Sequence, residues 1–211
     1  MLTSHTRAHG APPREPWDYD EALTEDFRKA LGLRYSLMPY IYAQAKDSSA
    51  RGFPMVRPLF FEYPNDPGSW SIDDEYMFGS NLLVAPMFAS GDKRKVYLPP
   101  GTWIDYQSGR VYAGEKWHEI ALGAIPVVLL VRNHAVLPHI KVAQSTNEMD
   151  WGNVELRVFS TDNTAATGLF TKPGSDVQTL SLVPRGNSFA LRDDPQAGKV
   201  KWDIKVQTLV R

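Results

Sequence analysis

The chain has 211 residues, with 23 basic against 24 acidic side chains and a formal net charge of −1, so it carries no one-sided field to hold nucleic acid or an anionic membrane. Hydrophobic residues make up 43% and aromatic ones 11%, enough to pack a core in one large or two modest domains. The absence of cysteine excludes a disulfide framework, a thiolate nucleophile and a cysteine-ligated zinc, and no apolar run approaches the roughly 20 residues of a membrane-spanning helix.

From Gly10 to Asp20 the chain carries Pro12, Pro13 and Pro16 and reads as an ordered loop with Trp17 as an aromatic anchor. Next, Phe27, Leu31, Tyr35, Met38, Tyr42 and Ala45 recur at spacings of three and four, which predicts one helix over about 24 to 51. Thr24 is its expected N-cap, Pro39 a kink in its middle and Gly52 the residue after its end. The run from Pro54 to Pro64 is apolar on both faces, as a strand in a parallel sheet covered by helices would be, although Pro58 argues against an uninterrupted strand.

Beyond about residue 73 the pattern turns to short strands. These are Leu82 to Met87, Lys95 to Leu98, Thr102 to Tyr106, Arg110 to Tyr112, Trp117 to Ile120 and Val127 to Val131, separated by Gly, Pro and Ser as in a sandwich. A polar passage from about Lys141 to Gly152 reads as a linker, and a second β-unit follows with clean alternation from Val154 to Phe159. One helix and one doubly buried strand cannot close a sheet, so the first 72 residues read as part of a larger α/β domain.

The acidic clusters Asp18/Asp20/Glu21, Asp73/Asp74/Glu75 and Asp193/Asp194 sit beside turns and helix starts, where carboxylates cap and face solvent. His5 and His9 are four apart but have no glutamate between them, and His134 and His139 lack a third ligand, so no metal site is expected. Glycine-rich phosphate-binding signatures are absent, and no cofactor is expected.

The most informative string is Ser4-His5-Thr6-Arg7-Ala8-His9-Gly10, followed by Glu15-Pro16-Trp17-Asp18-Tyr19. With Leu37-Met38-Pro39-Tyr40, Phe53-Pro54-Met55-Val56-Arg57-Pro58-Leu59, Tyr76-Met77-Phe78-Gly79-Ser80-Asn81-Leu82 and Tyr97-Leu98-Pro99-Pro100-Gly101-Thr102-Trp103, it resembles, in order and spacing, the last part of glycoside hydrolase family 31. The opening resembles the bacterial-type α-xylosidase branch. The resemblance is dense from about residue 3 to 138 and thin afterwards.

It implies an α/β plus all-β chain: residues 1–72 as the carboxyl-terminal part of a (β/α)8 catalytic barrel, 73–140 as a proximal β-sandwich domain and 141–211 as a distal one. It also implies a retaining α-glycosidase whose attacking aspartate and acid/base aspartate both lie upstream, leaving no catalytic residue here and an inactive isolated chain. His9 aligns with the family histidine that binds sugar at the scissile subsite, at the end of a barrel strand where such sites lie, and Arg7 braces it. Arg57 is a candidate barrel-lining ion-pair partner, and Trp103 and Trp117 are candidates for stacking on sugar. The implied partner is an α-glycoside, with room for a homo-oligomer in the full-length enzyme and none for nucleic acid or membrane. The alternative is a non-catalytic carbohydrate-binding or interaction module built from the β-domains.

Overall fold

Asp20 is extended and its carboxylate accepts the Leu23 amide at 2.7 Å, which starts the first helix, α1 (Glu21–Ser36). A second helix, α2 (Met38–Arg51), follows after Leu37 alone. The computed structural model, which describes residue 10, residues 12–88 and residues 90–208, thus divides the periodic run in two where a single kinked helix from 24 is expected. Pro39 has no amide to donate and its ring obstructs the turn before it, so it falls in the first turn of α2, where no donor is required. Thr24 is not the cap: it lies inside α1, its hydroxyl bonding the carbonyls of Pro16 and Asp20 at 3.0 Å each. Gly52 ends α2 with a left-handed φ of 72°, as its missing Cβ allows.

The expected parallel strand over 54–64 is also corrected. Strand β1 (Val56–Pro58) pairs antiparallel with β2 (Tyr76–Phe78), Val56 opposite Phe78, and a single helical turn, α3 (Leu59–Glu62), follows at once. Pro58 offers no amide to a ladder and ends the strand. Next come β3 (Leu82–Pro86), β4 (Lys93–Leu98), β5 (Thr102–Asp105), β6 (Val111–Ala113), β7 (Lys116–Ala121) and β8 (Val127–Arg132). The first sheet is six-stranded and antiparallel, in the order β1-β2-β3-β8-β5-β6, while β4 and β7 form a separate ribbon. One face of this sheet, with Phe78, Leu82, Val84, Leu129 and Val131, packs on Leu33, Leu37 and Tyr40 of the helical region. The other, with Met77, Leu83, Ala85, Val128 and Leu130, packs on Val96, Leu98 and Ile120 of the ribbon. Both faces being covered, its central strands are apolar throughout, the pattern otherwise typical of parallel sheets.

The second sheet contains β9 (Ala135–Ile140), β10 (Asn153–Phe159), β11 (Ala166–Phe170), β12 (Gln178–Arg185), β13 (Ser188–Leu191) and β14 (Lys201–Thr208), in the order β13-β12-β11-β9-β10-β14. Its outermost strands β13 and β14 lie near one another, so the sheet curls round its own core of Val136, Leu156, Val158, Phe170, Leu180 and Leu182. Only Asn133 and His134 separate β8 from β9, yet the two strands lie in different sheets. The Asn133 amide donates to Thr102 of the first sheet (2.9 Å), and the carbonyl of His134 accepts from Thr167 of the second (3.0 Å). The change of sheet therefore precedes residue 140, and 135–140 runs with the second unit.

Candidate functional site

Arg7 and His9 lie outside the described residues, and the segment that follows them can be built from Pro12 onward. A short 3-10 turn, Pro16–Asp18, is tied down where the Thr24 hydroxyl bonds the Pro16 carbonyl. The neighbouring Glu15 carboxyl raises the Asp18 pKa, while backbone hydrogen bonds and then Asp18 lower that of Glu15. Trp17 and Tyr19 are 73% and 60% exposed, so the aromatic anchor expected at Trp17 is not packed into the core of this chain.

Helix α2 is anchored to the first sheet. Tyr40, fully buried, donates its hydroxyl to the Phe78 carbonyl (2.7 Å) and accepts the Asn81 amide (3.2 Å), while Gln44 Oε1 accepts the Ser80 amide (3.0 Å). Burial pushes the Tyr40 pKa well above that of an ordinary phenol, so the group acts as a neutral donor. The contact requires Gly79, whose φ is 67° and where a Cβ would lie 2.6 Å from Gln44 Cγ and 2.7 Å from Tyr40 Oη. Helix and first sheet are thus locked by buried hydrogen bonds at the turn between β2 and β3.

Arg57 is 1% exposed. Its Nε donates to the Pro54 carbonyl (2.7 Å) and its Nη1 to Glu62 Oε2 (2.9 Å), while Arg132 reaches Glu62 Oε1 at 3.4 Å. Arg57, expected in a barrel lining, forms its ion pair from β1 of the first sheet to α3, beside the Phe53 ring. Arg57 Nη2 is buried without a partner among the described residues.

The structure separates the two tryptophan candidates. Trp103 is 1% exposed and donates its indole to the Pro99 carbonyl (2.9 Å), so it is core; Trp117 is 56% exposed. Asp20 caps α1, Asp74 pairs with Arg94 at 2.6 Å, and Asp194 accepts the Trp202 indole at 2.9 Å. Burial pushes the carboxyl of Glu75 up to about 8, although it accepts the Tyr97 amide at 2.8 Å.

His134 bonds Asp162 at 2.9 Å. Sequence reasoning missed the assembly around His139, whose members are remote in sequence. Its Nδ1 faces the Leu137 carbonyl (2.9 Å) and must carry the proton, so Nε2 accepts from Tyr106 Oη (2.8 Å), to which Arg157 donates (2.9 Å). Burial, then the Arg157 charge, drives the His139 pKa down to about 3 and keeps the ring neutral. Among the described residues no group of three His, Asp or Glu side chains is placed to hold a metal ion.

Comparison with known proteins agrees with this architecture. The model of the glycosyl hydrolases family 31 TIM-barrel domain matches residues 1–44, and that of the family 31 C-terminal domain matches residues 52–137. The chain is 32% identical over 153 residues to alpha-glucosidase 2 of Bacillus thermoamyloliquefaciens, covering 71% of this chain and 19% of that protein. To the alpha-xylosidase XylQ of Lactiplantibacillus pentosus it is 37% identical over 142 residues, covering 65% and 18%. Among solved structures, the GH31 dextranase of Flavobacterium johnsoniae in complex with glucose superposes with a TM-score of 0.76 at 26% identity, covering 85% of this chain and 24% of that one. The GH31 alpha-xylosidase of Xanthomonas citri gives 0.74 at 25%, covering 92% and 23%. The chain thus spans about one fifth of the length of these curated relatives, and the two family matches together take in more than half of it in the order barrel, then C-terminal domain. The chain belongs to glycoside hydrolase family 31 and corresponds to that family's carboxyl-terminal portion.

Proposed function

We propose that this chain is part of a retaining α-glycosidase that removes terminal α-linked glucose or xylose, and that it supplies sugar contacts while both catalytic aspartates lie upstream. The observation that carries the reading is the order of the matches: a barrel segment containing Arg7 and His9 leads directly into the helix that Tyr40 and Gln44 lock to the first sheet. In this reading the barrel part runs to about the end of α2, the proximal β-unit continues to Asn133 and the distal one begins at His134. His9 hydrogen-bonds a ring hydroxyl at the scissile subsite, and Arg7 holds the strand end that presents it. Sugar binding without nucleophile and acid leaves the oxocarbenium-like transition state unsupported, so the isolated chain hydrolyses nothing.

The test is His9→Ala in the full-length enzyme. A hydrogen bond that strengthens as charge develops on the sugar is worth about 1.5 to 3 kcal/mol, and each ~1.4 kcal/mol is tenfold in rate. The substitution should therefore lower kcat/KM by roughly ten- to a hundredfold with an unchanged thermal melt. Unchanged kinetics would remove His9 from the site, and hydrolysis by the purified 211-residue chain would overturn the assignment of the catalytic aspartates to an upstream segment.

A further inference from the structure

We propose that the outward face of the ribbon formed by β4 and β7, centred on Trp117, is a second carbohydrate-binding surface that stacks one pyranose ring of an α-linked gluco-oligosaccharide. The choice of sugar rests on the glycosidase reading above; the existence of the surface rests on the ribbon itself. Its register sets Trp117 opposite Tyr97 and Glu119 opposite Lys95, and alternation along the strands brings all of them to one face.

Trp117 is 56% exposed, and its ring meets Tyr97 edge-on at 5.6 Å and 61°. Tyr97 is 6% exposed, and its hydroxyl donates to the Asp66 carboxylate at 3.0 Å. Gly68 packs so closely on the Tyr97 ring that a Cβ there would lie 2.1 Å from the hydroxyl. The platform under Trp117 is therefore fixed in advance, and a ligand stacking on it has little side-chain motion to freeze.

Lys95, Trp117, His118 and Glu119 line a shallow depression of about 460 Å³. Lys95 offers donors and Glu119 acceptors, and a sugar hydroxyl is both donor and acceptor. A pyranose presents an apolar C–H face to an aromatic ring and hydroxyls round its rim, which is the pattern of this surface. A protein partner fits less well, because the centres of protein interfaces are depleted in Lys and Glu, whereas Trp117 is bordered by Lys95 and Glu119.

The test titrates the 211-residue chain, labelled with 15N at its 6 tryptophans, with maltoheptaose. The indole resonance that is lost in Trp117→Phe should, in the unsubstituted chain, shift saturably, with a Kd on the order of millimolar. Trp117→Ala should weaken binding at least tenfold, measured by calorimetry, and Lys95→Ala or Glu119→Gln by about threefold. The remaining indole resonances report that each variant is folded.

The proposal is overturned by no saturable shift up to about 50 mM sugar, by shifts confined to other tryptophans, or by a Trp117 resonance that moves with protein concentration and not with sugar. An equal response to cellohexaose overturns the α-linked assignment. Hydrolysis is not read in any arm, so an inactive His9 variant and an unresponsive Trp117 fail independently.

Discussion

In the first sheet, neighbouring residues of one strand face different cores: Leu82 and Val131 turn toward the helices, Leu83 and Leu130 toward the ribbon. In the second sheet only one face is apolar throughout. Val154, Leu156 and Val158 of β10 point into the curl with Trp202, Ile204 and Val206 of β14, while Glu155, Arg157, Asp203 and Lys205 face outward beyond the helices. These outward groups pair among themselves, Arg157 with Glu155 at 2.5 Å and Lys205 with both Glu155 and Asp203, and Glu155, Arg157 and Asp203 border, with His139, a groove of about 600 Å³ next to Ser36. Covering both faces of a sheet makes every strand position a packing position; covering one leaves alternate positions free to carry charge.

The sharpest way to break this comparison is to remove volume from the doubly covered strand. Leu130 is fully buried between the first sheet and the ribbon, and Leu130→Ala should cost about 3 to 4 kcal/mol in urea unfolding. A cost under about 1 kcal/mol would mean that the ribbon does not close that face. Next is the seam with α2. At Gly79 a Cβ meets both Gln44 and Tyr40 at a positive φ, so Gly79→Ala should cost about 2 to 3 kcal/mol. Tyr40→Phe, which removes the hydroxyl alone, should cost about 1 to 2 kcal/mol.

A different effect is visible only as pH changes. The Glu75 carboxyl, held near 8 against an ordinary 4.5, contributes stability that is complete below about 4.5 and is lost as pH rises through about 8. His139 has the opposite sign: with its folded value near 3 against an ordinary 6.5, its contribution is present above 6.5 and is lost as pH falls toward 3. The alkaline limb therefore belongs to Glu75. Glu75→Gln should abolish a loss on the order of 4 kcal/mol between pH 5 and 9, measured as the midpoint of urea unfolding at each pH. A variant with the wild-type slope would show that Glu75 is not the group responsible. Smallest of all is Lys205→Ala on the open face, expected within about 0.5 kcal/mol because its partners remain hydrated.

Much of this architecture is legible in the sequence, and the parts that are not share a cause. The face of Phe27, Leu31 and Tyr35, the cap at Gly52 and the alternation of β10 follow from local chemistry. Whether Pro39 kinks a helix or ends it depends on what the next turn packs against, and here Tyr40 is drawn onto the β2–β3 turn. The doubly apolar run around Leu83 identifies burial on both faces but not the direction of the neighbouring strand, so the same pattern that suggests a parallel sheet serves an antiparallel one. Trp103 and Trp117 both lie in short strands between turns; only the layer that covers them decides that one is core and the other a surface. For the proposed site, the motif around Arg7 and His9 is read from the sequence, and its side chains fall outside the described residues. The His139 assembly joins Tyr106, His139 and Arg157 across two sheets, and no local pattern announces a meeting of that kind.

The two-residue crossing at Asn133 and His134 bears on how this family's parts can be exchanged. A chimaera joined after residue 140, in the polar passage that looks like the natural linker, would take β9 from one parent and its neighbours β10 and β11 from the other. Every backbone hydrogen bond between them would then join strands that had not evolved together. A junction between Asn133 and His134 instead leaves each sheet with a single ancestry. The tie of Asn133 Nδ2 to Thr161 Oγ1 (2.9 Å) is then a hybrid contact, and it needs only Asn and Thr in the respective parents. The seam best suited to recombination is therefore a tight corner inside the packed molecule, and the loop that looks expendable is the worse place to cut.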